Sequence, residues 1–307
     1  MNNNYANGKL LITGEYLILE GAYSLAIPCS KGQKIEYTQD KKSKTIEWKS
    51  YDFMQKLWFS VKYESDSLNI IETNDKVKAI GLQRILLEAY RLSKTVKLNG
   101  QIITFLDFPN NWGLGSSSTL IVCISKMFKI DPLELHFKTS NGSGYDVACG
   151  YLNKPITYLI NNKKPIVKEI EFKIPFSKNI VFIHLNKKQK SENEIIRFKK
   201  KTKNKSININ SISDITLKMI NCQHINIFND LIDEHENIIS HYIDKKPIKT
   251  ELFSDFNGSI KSLGAWGGDF IMASSLDDSF EYFKTKGFDT IIPFNKMIKD
   301  QSSNVDN

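Results

Sequence analysis

The sequence lacks any apolar run near the roughly 20 residues that a membrane-spanning helix requires. Its first residues, MNNNYANGKLLITGEY, lack a basic segment followed by a cleavable apolar stretch, so a cytoplasmic chain with no membrane partner is expected. Cysteine is sparse. Cys29, Cys123, Cys149 and Cys222 stand apart with no CxxC spacing, which argues against a zinc site or a disulfide framework and for reduced core thiols. Among the five histidines, His235 and His241 lie six apart, off any common helix face, and His136, His184 and His224 are isolated. Packing or surface roles suffice for all of them. There is no internal repeat and no GxxxxGK[ST] loop. Gly113, Gly115 and Ser118 half-match a dinucleotide fingerprint, but mid-chain, and the acid some 20 residues on, Glu134, sits between Pro132 and His136 rather than at a strand end.

What is present is ample core material: 41% apolar and 11% aromatic residues over 307 positions. The net charge of +8 is local, because 187–205 carries nine basic residues against two glutamates. That run holds one aromatic, Phe198, and so lacks the interleaved rings of a single-stranded nucleic-acid surface. It reads as a solvated loop or as an edge near an anionic substrate, and no nucleic-acid partner is expected.

The first half is strand-rich: KLLIT, AYSLAIP, QKIEYTQ, KTIEWKS and LWFSVKY are β-branched or aromatic runs separated by turn residues. KVKAIGLQRILLEAYRL has helical three-and-four spacing, and QIITFLDF returns to strand. PITYLI and PIVKEIEF flank NNKK, a hairpin composition, and NIVFIHL reads as a buried strand. SENEIIRF opens with a capping box, and one long helical stretch follows from 212 to 243. The pattern predicts an α+β chain with a boundary near 176.

Between Asn111 and Leu120, NWGLGSSSTL precedes an apolar run that is either helix or buried strand. A glycine-rich turn feeding a helix exposes unpaired N–H groups at the positive end of the dipole, where phosphate oxygens bind. Gly113 and Gly115 permit close approach, and Ser116, Ser117 and Ser118 add hydroxyls. The plain alternative is a loop with an ordinary serine N-cap.

Three blocks, in order, resemble the signatures of the GHMP kinases, the superfamily of galactokinase, homoserine kinase, mevalonate kinase and phosphomevalonate kinase. NGKLLITGEY matches the first with Gly8, Lys9, Gly14, Glu15 and Tyr16, Asn7 standing where proline is usual. Gly113, Leu114, Gly115, Ser116 and Ser117, followed by Ser118 and Thr119, match the phosphate loop. Gly264, Ala265, Trp266, Gly267 and Gly268 match the third, glycine-rich block, with Trp266 at a usual glycine. GEY, GSGYDVA and the ending KSLGAWGGD at Asp269 look like the phosphomevalonate kinase branch, with mevalonate kinase close behind. The segment between the phosphate loop and Asp146 is shorter than the paired helices the family has there. At the mevalonate kinase metal-glutamate position stands Leu135, with Glu134 its neighbour.

The resemblance implies the GHMP kinase fold, with a ribosomal protein S5 domain 2-like, ATP-binding domain over 1–176 and a ferredoxin-like domain over 177–307. It implies ATP and Mg²⁺ as cofactors and a small acidic or phosphorylated acceptor meeting ATP in the cleft. Phosphoryl transfer needs alignment, charge neutralisation and a group that orients the acceptor. Asp146, after GSG, is the candidate for that last task, against the alternative of a helix cap, and the resemblance sets Lys9 against it rather than at an exposed strand end. Ser117 is the candidate Mg²⁺ ligand, with residues 113–119 holding phosphates. Acceptor contacts are expected from Glu15, Tyr16, Ser143, Gly144, Lys261, Gly264, Ala265, Trp266 and Gly267, although Lys261 also reads as a solvent-facing helix lysine. Lys188, Lys190 and Ser191 are a further candidate anion edge. A non-catalytic RNA binder on the S5-like half is the reading from another class.

Overall fold

A computed structural model describes residues 2–94, 96–187, 191–202, 207–264, 266 and 268–300. Ala265, Gly267, Lys188 and Lys190 lie outside the described residues. The chain forms two compact units, one of Met1–Gly8, Lys31–Asn110 and Leu114–Asn153, the other of Lys9–Ser30, Asn111–Gly113 and Lys154–Asn307. The boundary expected at 176 falls inside the second unit.

Strands β1 (Asn2–Thr13) and β2 (Ser24–Gln39) each contribute to both units. The first unit adds β3 (Thr45–Tyr51), β4 (Leu57–Glu64), β5 (Ile70–Thr73), α1 (Lys76–Ser93), β6 (Gly100–Leu106), α2 (Ser116–Phe128), α3 (Pro132–Thr139) and α4 (Tyr145–Leu152). Residues 33–39 of β2 pair antiparallel with β6, β6 parallel with β3, β3 antiparallel with β4, and β4 antiparallel with β5. Period-two alternation turns Ile46 and Trp48 of β3 and Phe59, Val61 and Tyr63 of β4 inward. On α1, Ala79, Leu82, Leu86 and Ala89 make the matching helical stripe, and Asp75 caps the helix by accepting the Lys78 N–H. Val122, Ile124 and Phe128 of α2, Leu135 of α3 and Val147 of α4 complete this core. Burying each such large side chain contributes about 1.5–3 kcal/mol.

AYSLAIP and QKIEYTQ, two strands by sequence, are one strand, β2. Pro28 does not break it, because it lies between Ser24–Ala26, paired to a later strand, and the segment paired to β6. Gly32 does not break it either: a Cβ there would lie 2.1 Å from the Ala6 carbonyl oxygen, so glycine admits β1 against β2.

The second unit holds a 3₁₀ turn (Leu17–Glu20), β7 (Ile156–Asn161), β8 (Lys164–Glu169), β9 (Ile180–His184), α5 (Ser191–Thr202), α6 (Ile209–Ile220), α7 (Ile225–Ile243), α8 (Ile248–Leu252), β10 (Ser259–Ser262), β11 (Phe270–Ser274), α9 (Ser279–Thr285), β12 (Ile291–Pro293) and α10 (Phe294–Met297). β7 and β8 form the expected hairpin, with Asn162 and Lys163 both at positive φ, as a two-residue primed turn demands. An antiparallel sheet runs β10-β11-β9-β12, and β9, β10 and β11 are buried at every position, so both of their faces are covered. The single long helix expected over 212–243 is two. Asn221 ends α6 and His224 precedes α7, and the break lets the two amphipathic helices pack on one another. Among the described residues no helix is long and apolar enough to cross a membrane.

Candidate active site

The apolar run after NWGLGSSSTL is helix, and the two glycines open it. Gly113 and Gly115 have φ of 66° and 89°, a region that glycine enters without strain. Gly115 is the N-cap and has no side chain to satisfy the first turn. The N–H groups of Ser116, Ser117 and Ser118 therefore precede the first intrahelical bond, Thr119 N–H to Gly115 O at 2.9 Å. This is an anion cradle at the positive end of a 13-residue helix. The hydroxyls divide. Ser118 Oγ donates to Gly115 O at 2.8 Å and Thr119 Oγ1 to Gln33 Oε1 at 2.7 Å, both turned inward, whereas Ser117 is exposed. Leu114 is buried, and a Cβ on Gly8 would lie 2.8 Å from its carbonyl oxygen, so β1 passes hard against the loop.

Asp146 stands in the first turn of α4, after the left-handed N-cap Gly144 (φ 84°). Its Oδ1 accepts the Val147 N–H at 3.0 Å and its side chain is half-buried. Val147, Ala148, Cys149 and Gly150 anchor the helix, and a Cβ on Gly150 would lie 3.0 Å from Asn7 O. α4 thus rests on β1 and packs against α2. The segment between loop and acid is short but does hold a helix pair, α2 and α3. Leu135 lies in the core and Glu134 is exposed. His136, isolated in the sequence, has a task in the structure. Its Nε2–H donates to Gly142 O at 3.2 Å, and its ring stands where a Cβ on Gly144 would go, so it shapes the turn that presents Asp146. Ser143 is buried beside it in the chain.

In the second unit, Lys9 is buried and its Nζ donates to Gly113 O at 3.3 Å. A Cβ on Gly113 would lie 2.3 Å from Asp269 Oδ2, and one on Gly264 3.8 Å from the same oxygen. The Asp269 carboxylate therefore sits over the first loop glycine, a contact that sequence reasoning missed. So was the anchor at Asn111, whose carbonyl accepts from His184 Nε2–H at 3.2 Å while Trp112 packs edge-on against Phe270. Burial pushes the Cys29 thiol up to about 12 against the opposing pull of Lys9, and burial pushes Cys123 up to about 12 as well, so neither is a nucleophile at neutral pH.

Glu15, Tyr16, Lys261 and Trp266, also expected at the acceptor, do not line an open surface. Lys261 is in β10, not on a solvent-facing helix, and is 0% exposed. Its Nζ lies 2.6 Å from Glu15 Oε1 and 3.0 Å from Glu236 Oε1, and donates to Ser262 O at 2.6 Å. An ammonium surrounded in this way has no donor left for an acceptor, so the expected acceptor contact gives way to an interior ion cluster. Glu15 is 2% exposed, with His235 Nε2 3.3 Å from its Oε2. Burial lifts the Glu15 carboxyl to about 7 despite the pull of Lys261; burial likewise raises Glu236 and holds His235 well below its usual range. Burial opposes the charge of Lys261, but the two carboxylates outweigh it and raise its pKa. Tyr16, at φ 62°, accepts the Trp266 N–H on its hydroxyl at 3.0 Å, and Trp266 Nε1–H donates to Lys246 O at 3.2 Å. Both rings are buried, whereas Gly264 is exposed. One signal for the cluster was in the sequence: His235 and Glu236 occupy stripe positions of α7 otherwise held by Phe228, Leu231, Ile232 and Ile239.

A glycine-opened cradle on one helix and a carboxylate at the head of its neighbour can hold a polyphosphate and orient an acceptor. Among the described residues, no group of three or more His, Cys, Asp or Glu could hold a metal ion.

The chain has the α+β fold of the GHMP kinases. It is similar to the mevalonate kinase of Methanococcus jannaschii, with a TM-score of 0.69 and 12% identity over 95% of this chain and 96% of that one. It is similar also to the Streptococcus pneumoniae phosphomevalonate kinase solved with phosphomevalonate and AMPPNP (0.67, 16%, 93% and 94%), and to the Lactococcus lactis galactokinase solved with galactose (0.62, 12%, 92% and 87%). No family model and no curated protein matches the sequence.

Proposed function

We propose that the protein is an ATP-dependent GHMP-type kinase that transfers the γ-phosphoryl group to phosphomevalonate, giving diphosphomevalonate. The observation that carries this reading is a pairing within one unit. α2 and α4 pack together, and each is opened by a left-handed glycine; one presents the three N–H groups that precede its first intrahelical bond and the exposed Ser117, the other presents Asp146. The N–H groups hold phosphate oxygens of ATP, and Asp146 orients or takes the acceptor proton. Lys9 supplies positive charge next to Gly8 in the chain. Ser117 is the hydroxyl that would join Mg²⁺ brought in on the nucleotide, and that ion would offset phosphate charge. Ser143, Gly144 and Gly264 remain on the acceptor side in this reading. Glu15, Tyr16, Lys261 and Trp266 hold the second unit together instead. A cytoplasmic setting and the division of labour at 176 belong to the same proposal.

Phosphomevalonate as acceptor is supported by GEY, GSGYDVA and Asp269, and by likeness to a kinase solved with that compound. Coupled ADP-release assays with phosphomevalonate, mevalonate and galactose test it. Turnover of phosphomevalonate well above the others is expected. Preference for mevalonate or galactose keeps the kinase and replaces the acceptor, and no ADP release with any of them removes the assignment.

A further inference from the structure

Four ionisable groups share the interior of the second unit, and their hydrogen atoms can be counted. Lys261 faces Glu15 Oε1 and Glu236 Oε1, and Glu236 Oε2 accepts from Ser262 Oγ at 2.9 Å. With both carboxylates ionised, a dry site would hold two negative charges against one positive. The donors that reach the outer oxygens separate the two acids: Glu236 Oε2 accepts from Ser262 Oγ, whereas Glu15 Oε2 accepts from no group among the described residues. The Gly14 N–H donates to His235 Nε2 at 3.1 Å, so that nitrogen carries a lone pair, yet Glu15 Oε2 lies 3.3 Å from it. The lone pair of that nitrogen is taken by the Gly14 N–H, so Glu15 Oε2 is left without a donor among the described residues, a condition that a hydrogen of its own relieves.

We infer that Glu15 is a positioning residue held as the neutral acid, its hydrogen on the Oε2 that lies near His235, beside the Lys261–Glu236 ion pair, and that this clamp fixes the first motif rather than binding acceptor. α7 contributes His235 and Glu236 to it and β10 contributes Lys261; α6 faces the neighbouring Thr13 with the uncharged hydroxyl of Thr216, 2.7 Å away. What the clamp holds is definite. Upstream it pins the end of β1, whose Lys9 reaches Gly113 O; downstream it pins Tyr16, whose hydroxyl holds the Trp266 N–H of the third block. The functional half of this inference rests on the kinase reading, and the protonation half does not. The raised carboxyl of Glu15 and the depressed ring of His235 accord with it.

Glutamine is the isostere of the neutral acid: its amide oxygen can accept from Lys261 and its NH₂ can donate to His235, but it cannot ionise. The test takes the full chain, with Glu15→Gln, Glu15→Ala and Lys261→Met. Nitrogen-15 NMR of His235 is expected to show a neutral ring at about pH 6, unprotonated at Nε2; an imidazolium, or a hydrogen on Nε2, overturns the clamp. Glu15→Gln is expected to remove the fall in melting temperature as pH rises through about 7 and to keep the acceptor KM within about twofold, whereas Glu15→Ala lowers kcat about tenfold or more at unchanged KM. A roughly tenfold rise in acceptor KM in Glu15→Gln, with an unchanged melting profile, would mark an acceptor ligand and overturn the proposal. Should no acceptor release ADP, the kinase reading fails alone, and NMR and melting still decide the clamp. Where Lys261→Met does not fold, Glu15→Gln carries the comparison.

Discussion

The head of α2 and the interior around Lys261 treat charge in opposite ways. At the head of α2, a glycine N-cap leaves the N–H groups of the first turn without a side-chain cap, and Ser117 there is exposed, where an anion can reach. Around Lys261, four titratable side chains meet one another, the Gly14 N–H and Ser262, and all four are buried. Donors exposed at a helix head are a binding site; charges paired out of water are a clamp. Glu15 and Lys261 stand next to glycine-bearing motifs in the sequence, as the head of α2 does, whereas His235 and Glu236 come from the amphipathic helix α7.

Breaking each region should give a different signature. Asp146→Ala is expected to lower phosphoryl transfer by about 10²–10⁴-fold, the usual range for a proton-handling group, with little change in urea midpoint. An unaltered rate in a coupled ADP assay would leave Asp146 as a cap for α4 and nothing more. Lys261→Met does the reverse. It leaves buried acids without their cation and is expected to cost about 3–5 kcal/mol in urea unfolding. A loss under about 1 kcal/mol would mean that water reaches the cluster.

The pH dependence of stability sharpens the contrast. Glu15, raised from 4.5 to about 7, stabilises the fold fully below 4.5 and loses that contribution as pH rises through about 7. His235 is depressed, so its contribution is full above 6.5 and is lost as pH falls. Between 4.5 and 6.5 the folded pair holds one hydrogen on Glu15 and the unfolded pair holds one on His235, so the two terms cancel. The pair therefore contributes a plateau of stability over that window, falling on both sides. Subtracting the Glu15→Gln profile from that of the parent chain isolates the Glu15 contribution, which falls from about pH 4.5 to about 7, and a difference flat from about pH 5 to about pH 8 would contradict it.

Two glycine substitutions give the smallest effects. Gly144→Ala places a Cβ at φ 84° and 3.0 Å from Leu133, and should cost about 1–2 kcal/mol while misplacing Asp146. Gly81→Ala, in mid-α1 with nothing within 4 Å of the added carbon, should stabilise by about 0.5–1 kcal/mol. Thermal melts with activity alongside separate the two: the first should lose both and the second neither.

Much of the local structure was legible. The stripe on α1, the NNKK hairpin and the glycine turn before α2 are properties of neighbouring residues, and neighbours in sequence decide them. Pro28 and Gly32 misled because a strand tolerates them where no ladder N–H is required or where another backbone must come close, and both conditions are set by distant segments. At the candidate site, residues 113–119 and Asp146 announced themselves by glycine spacing and by the resemblance. His184 and Gln33 did not, since each acts on a group far along the chain; nor did His136, whose contact with Gly142 depends on the turn that closes after α3.

By itself the sequence determined the α+β order of elements, the glycine-opened head of α2 and the placement of an acid at the head of α4, because helix caps and left-handed glycines depend on a few adjacent residues. Whether a glutamate or lysine meets solvent or a dry interior was decided only by tertiary structure. Glu15, Glu236 and Lys261 lie up to 246 positions apart, and their charge states depend on the water that folding removes.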